Sequence, residues 1–140
     1  MLRASVDIRV RYKETDKMGV VYHSNYFAWF EIARINLLDQ LGCPYVELEK
    51  DGFFLPVLSC DATFHHPAFF DDRLTVDVRI EKEPTVRIEA LYEIRNKEEL
   101  ITSGSTQHAF VSQKGAVVRP PERFAEVARS LFSNQIISSR

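Results

Sequence analysis

The sequence predicts an α+β domain in which one antiparallel sheet of about five strands wraps a single long central helix. Three observations predict it. The segment SNYFAWFEIARINLLDQLG (24–42) is apolar on most sides, as an enclosed helix is. Four strand-like segments then follow with no helical segment between them, which leaves an antiparallel meander. One alternating segment precedes the helix.

Taken in order, VDIRVRYK (6–13) turns Val6, Ile8, Val10 and Tyr12 one way and charged residues the other, so it reads as a half-buried strand. Asp16 and Gly19 then signal a turn. Ser24 or Asn25 caps the long helix and Gly42 ends it. On that helix Glu31 and Arg34 stand three apart, the spacing of an ion pair. A short helical turn follows in PYVELEKDG. The segments 53–67, 74–81, 86–94 and 100–113 read as strands separated by prolines and charged turns. Phe53, Phe54, Phe64, Phe69 and Phe70 are assigned mostly to the core. RPPERFAEVARSLF (119–132) predicts a short closing helix with one apolar stripe, and 133–140 a loose tail. There is no repeat, low-complexity tract or linker, so residues 1–140 form one predicted domain.

Composition removes several functional classes. A chain of 140 residues with a formal charge of −2 and no basic block lacks the footprint of a nucleic-acid binder. No apolar run approaches a transmembrane segment, and the first ten residues lack a signal-peptide core. Cys43 and Cys60 are isolated thiols, which predicts a reduced, cytoplasmic setting. Phosphate-loop, dinucleotide and zinc-protease motifs are absent, and His65, His66 and His108 have no ligand spacing, so no metal site is expected.

The stretch ETDKMGVVYHSNY (14–26) carries more chemistry than a turn needs. Its string Tyr-x3-Asp-x2-Gly-Val-Val-Tyr-His-x-Asn-Tyr resembles that of the acyl-CoA thioesterases of the 4-hydroxybenzoyl-CoA thioesterase group, nearest the branch associated with the Tol–Pal envelope system. HPAFFDDRLTVDVRI and GSTQHAFVSQKGAVVRPPERF extend the likeness over nearly the whole chain. The resemblance implies a hotdog fold and hydrolysis of a short-chain, medium-chain or aryl acyl-CoA, with coenzyme A as part of the substrate and no separate cofactor. It also implies a homodimer, or a dimer of dimers, with the site between subunits.

The same resemblance makes Asp16 the catalytic carboxylate, accompanied by Tyr12 and His23, with helix-start N–H groups near Tyr22 to Ser24 holding the thioester oxygen. Physical chemistry supports the pairing. A carboxylate serves as general base or as nucleophile, and the first N–H groups of a helix have no intrahelical partner. Asn25 caps the helix or bonds the substrate. Glu31 is an alternative carboxylate, since a distant hotdog group places its catalytic Glu on the central helix. Two other readings stay open: a hotdog dehydratase acting on 3-hydroxyacyl thioesters, and a non-catalytic acyl-CoA-binding module.

Overall fold

A computed structural model describes residues 1–138, with side chains through Ser133. The elements are β1 (Leu2–Arg9), a 3-10 turn (Tyr12–Glu14), α1 (Ser24–Gln40), α2 (Tyr45–Lys50), β2 (Val57–Phe64), β3 (Arg73–Ile80), β4 (Arg87–Asn96), β5 (Glu99–Ala109) and α3 (Glu122–Ser138). The five strands form one antiparallel sheet in the order β1-β3-β4-β5-β2. This is the predicted sheet around a long helix.

β1 and β2 are neighbours among the strands in sequence but occupy opposite edges of the sheet. The chain between them must therefore cross the sheet's width, about 19 Å for four inter-strand gaps. α1, about 25 Å long at its 17 residues, lies within that connection and runs alongside the strands, its start on Phe64 at one end of β2 and Arg34 beside Val57 at the other. Its buried side is Tyr26, Trp29, Phe30, Ala33, Leu37 and Leu38, while Ile32 stays exposed, so the helix is covered on one broad side.

One row of residues fixes where the helix touches the sheet. Ala4, Val78, Tyr92, Gly104 and Ala62 pair in sequence across all five strands. Phe30, fully buried, stacks on Tyr92 with ring centres 4.2 Å apart and lies over Gly104. A small residue beside a large one lets the helix seat its ring on the sheet.

Three expectations change. β2 is almost wholly exposed, because it is an edge strand with no layer over it, and Phe64, Phe69 and Phe70 are about half exposed instead of core. Only Phe53 and Phe54 are partly buried. α3 continues past Phe132 to Ser138 and so takes in most of the expected tail; residues 139–140 lie outside the described residues. Among the described residues no helix is long and apolar enough to cross a membrane.

Gly104 supplies a test of the helix–sheet contact. A Cβ there would come within 2.4 Å of the Asp61 carbonyl oxygen and 2.8 Å of the Phe30 ring. Gly104→Ala should lower the unfolding free energy by about 1–3 kcal/mol, read from the urea midpoint.

Candidate active site

The loop after β1 is built by backbone pairing. Val10 exchanges backbone hydrogen bonds with Asp71 and Asp72 beyond the last β1–β3 pair, and the chain then turns through Tyr12–Glu14. Thr15 pairs with Val21, and Val20 with Phe69. Inside that hairpin the Asp16 N–H donates to the Val20 carbonyl and the Gly19 N–H donates to the Asp16 carbonyl, both at 2.9 Å. Gly19 takes φ +81°, a left-handed value that a side chain would strain. The Asp16 carboxylate is exposed, and its Oδ1 accepts the Met18 N–H at 2.8 Å. The sequence-predicted turn and its carboxylate are thus held in one orientation.

Tyr12 departs from expectation. It lies outside β1, in the 3-10 turn, and is 77% exposed, with its ring edge-on to Phe70 at 5.5 Å. β1 pairing stops at Arg9, and the Glu14 carboxylate takes the Arg11 N–H at 2.7 Å, so the strand face does not continue to residue 12.

The helix start lies on the other arm of the hairpin. The Tyr22 N–H donates to the Glu14 carbonyl at 2.9 Å, so of the candidate amides Tyr22 to Ser24 this one is already engaged. The N–H groups of His23 and Ser24 have no hydrogen-bond partner among the described residues. Asn25 is not a cap: its Nδ2 donates to the Glu14 carbonyl at 2.9 Å and to the Tyr22 carbonyl at 3.2 Å, and α1 has no side-chain cap. The His23 ring packs against Tyr22 at 4.3 Å and lines a cleft of about 240 Å³ with Val20, Tyr26 and Phe64. No hydrogen bond joins His23 to Asp16 among the described residues. Tyr22 and Ser24 are exposed.

Glu14 is the residue that sequence reasoning missed. It is 5% exposed, a buried carboxylate. Its side chain accepts the Arg11 N–H at 2.7 Å, the Arg11 guanidinium at 3.3 Å and the Trp29 indole N–H at 3.3 Å. Its carbonyl accepts Tyr22 and Asn25, so one residue ties the Asp16 arm, the helix start and the second turn of α1 together. The signal available in the sequence was the single Trp on a buried helix face, whose indole N–H needs an acceptor nearby.

The expected Glu31–Arg34 pair is not formed. Glu31 is exposed, and Arg34 reaches inward instead, with its Nη1 donating to the Tyr92 hydroxyl at 3.2 Å. From there the hydrogen bonds run one way. Tyr92 donates to Thr106 Oγ1 at 2.7 Å, Thr106 donates to His108 Nε2 at 2.7 Å, and His108 Nδ1–H donates to the Pro56 carbonyl at 3.1 Å. The carbonyl at one end fixes which ring nitrogen carries the proton. Burial, and then the charge of Arg34, push the His108 pKa down to about 4. Burial first raises that of Tyr92. His65 and His66 bond Ser103 and the Leu100 carbonyl, and no metal-holding group of His, Cys, Asp or Glu occurs among the described residues.

Two outcomes follow. Glu14→Ala leaves the Trp29 indole and the Arg11 amide without their acceptor and should cost about 2–4 kcal/mol in urea unfolding, with a shift in the emission of the chain's single Trp. His108 binds its proton near pH 4 when folded and near the ordinary 6.5 when unfolded. Above pH 6.5 neither state is protonated, so stability there is full. As pH falls from 6.5 to 4 the unfolded state gains a proton that the folded state does not, and stability should drop by about 3 kcal/mol. His108→Gln should flatten that part of the stability–pH curve.

Comparison with known proteins agrees with this architecture. Residues 10–128 match the thioesterase-like superfamily. YneP of Bacillus subtilis, provisionally named an acyl-CoA thioesterase, is 40% identical over 75 residues, which is 54% of each chain. A protein of Aquifex aeolicus, provisionally named an esterase, is 31% identical over 121 residues, 86% of this chain and 94% of that one. The crystal structure of a DHNA-CoA thioesterase from Staphylococcus aureus superposes with a TM-score of 0.88 at 33% identity, covering 99% of this chain and 95% of that one. The sheet around α1 is therefore a hotdog fold, and the chain belongs to the thioesterase-like superfamily.

Proposed function

We propose that this protein is an acyl-CoA thioesterase in which the Asp16 carboxylate attacks or activates water while the His23 and Ser24 N–H groups hold the thioester oxygen. One observation carries the reading. The exposed carboxylate and the two unpartnered amides stand on the two arms of one pinned hairpin. Helix-start N–H groups carry partial positive charge, so an oxygen set there is stabilised as it becomes negative. One good donor of this kind typically changes rate by about 10²–10³.

Two routes use this arrangement. As a base, Asp16 takes a proton from water, the hydroxide adds to the carbonyl carbon, and the C–S bond then breaks to release coenzyme A thiolate. As a nucleophile, its oxygen adds to that carbon and expels the thiolate, and water then cleaves the mixed anhydride. The thiolate is a good leaving group, so His23 serves to orient water or to protonate the departing sulfur. Relatives named as acyl-CoA thioesterases support this activity.

A homodimer, or a dimer of dimers, belongs to the same reading. Tyr12, Met18, Phe64, Phe69 and Phe70 are exposed around the loop, and β2 leaves an open sheet edge beside them. A second copy covering them would close the site from water. The free thiols of Cys43 and Cys60 accord with a cytoplasmic setting. The dehydratase alternative pairs a His with a helix carboxylate. Here Glu31 stands about 12 Å along the helix from His23, which disfavours it within one copy.

Thiol release from a panel of acyl-CoAs tests the proposal, with loss of water instead of thiol marking a dehydratase. Binding without turnover would mark a non-catalytic module. Asp16→Asn should lower kcat by about 10²-fold or more while the melting curve is kept. Turnover at the wild-type rate in that variant would remove Asp16 from the chemistry.

A further inference from the structure

We propose that the cavity between α1 and the β2 end of the sheet receives the acyl group, and that Arg34 selects acyl groups carrying a hydrogen-bond-accepting oxygen at their far end. The inference rests on the thioesterase reading and adds the substrate class.

The cavity holds about 370 Å³, within the rough range of 300–1,000 Å³ of small-molecule sites. Ile35, Leu38, Leu55, Ile80, Ile88 and Phe124 give it apolar walls. Two smaller openings lie between it and the helix start, along α1 and β2. Near the start, His23 faces Phe64 across a cleft. One turn on, Phe27 and Ala28 face Cys60, and that opening shares Glu31, Arg34 and Val57 with the main cavity. The residues on β2 run backward as those on α1 run forward, so the three openings lie in line along one seam.

The polar groups in the cavity are unequal. His108 has both ring nitrogens engaged, and the Tyr45 oxygen already accepts the Leu55 N–H at 3.0 Å. Glu31 is exposed at the rim. Arg34 spends one N–H on the neutral Tyr92 hydroxyl and forms no ion pair among the described residues. A guanidinium has five N–H donors and keeps its charge, so a half-buried one with no counter-charge is stabilised by an acceptor brought to it.

Reach fits as well. Arg34 is about 15 Å along the helix from Ser24, and helical side chains lean back toward the N-terminus, which shortens the gap. The Arg34 guanidinium is drawn back to Tyr92, on which Phe30 stacks about 9 Å along the helix from Ser24, and one aromatic ring or a six-carbon chain with a hydrogen bond of about 3 Å at its far end covers that shorter gap. A hydroxyl, oxo or carboxylate oxygen at its end meets the guanidinium; a bare methyl or ring edge leaves it unsatisfied.

The test compares matched CoA esters by kcat/KM: hexanoyl with 6-hydroxyhexanoyl, 6-oxohexanoyl and adipoyl, and benzoyl with 4-hydroxybenzoyl. At least one oxygenated ester should exceed its parent by about 10–100-fold in the wild type, the discrimination expected of a hydrogen bond to a charged donor. In Arg34→Met that ratio should fall to about 1, and Arg34→Lys should hold an intermediate value. A wild-type ratio within about 3-fold of 1 for every pair overturns the inference, and this arm needs no variant to fold. An Arg34→Met protein that keeps the wild-type ratio also overturns it. Hydrolysis of the parents without preference sinks this inference alone, whereas no thiol release from any ester removes the thioesterase reading with it.

Discussion

The hydrogen bonds that converge on Glu14 are the constraint on which the candidate site depends. A carboxylate taken out of water is costly unless its oxygens are bonded. Here the Arg11 amide, the Arg11 guanidinium and the Trp29 indole bond them. Those donors lie before the loop and inside the helix, so satisfying the buried charge fixes the two relative to each other. The carbonyl of the same residue takes Tyr22 and Asn25 and closes the hairpin from its other side. The geometry that the proposed thioester chemistry needs is thereby set by a residue that itself lies under the surface.

The position of α1 on the sheet is a second, apolar constraint. Phe30 on Tyr92, over a glycine, sets the height of the helix, and its run along β2 from Phe64 to Val57 sets its direction. Together they put the helix start beside the far end of β2 and the cavity beside its near end. The edge strand lends Val57 and Cys60 to the seam and is exposed along almost its whole length. Its openness in one chain is what makes a second copy a sensible complement.

Alternation made β3 and β4 legible, because their buried and half-exposed residues alternate along the full length. The long helix was legible from its apolar run, and the Asp16 turn from its Asp and Gly. Periodicity says which side of an element is apolar, and does not say whether anything covers it. That is why Phe64, Phe69 and Phe70 were assigned to a core they do not reach. Tyr12 was carried along a strand face that ends three residues earlier, because a side chain and not a turn residue stops the strand. Spacing alone suggested that Glu31 pairs with Arg34, but the better partner for Arg34 lay 58 residues away in sequence, on β4. Glu14 was illegible for the same reason: its partners are brought to it only by the folded hairpin.

The division between buried and exposed carboxylates has a consequence for how such a site tolerates change. In the proposed reading the oxyanion donors are backbone groups, so the side chains of Tyr22 and Ser24 are free to vary provided the dihedral angles hold. What holds those angles is the left-handed Gly19, the Thr15–Val21 pairing and the Glu14 bonds. A substitution at any of these alters no reacting atom, yet it moves Asp16 and the amides apart together. Displacements of about 1 Å are enough to lose two orders of magnitude in rate. The proposed working groups therefore sit on a surface that is chemically simple, and what positions them lies one layer below it.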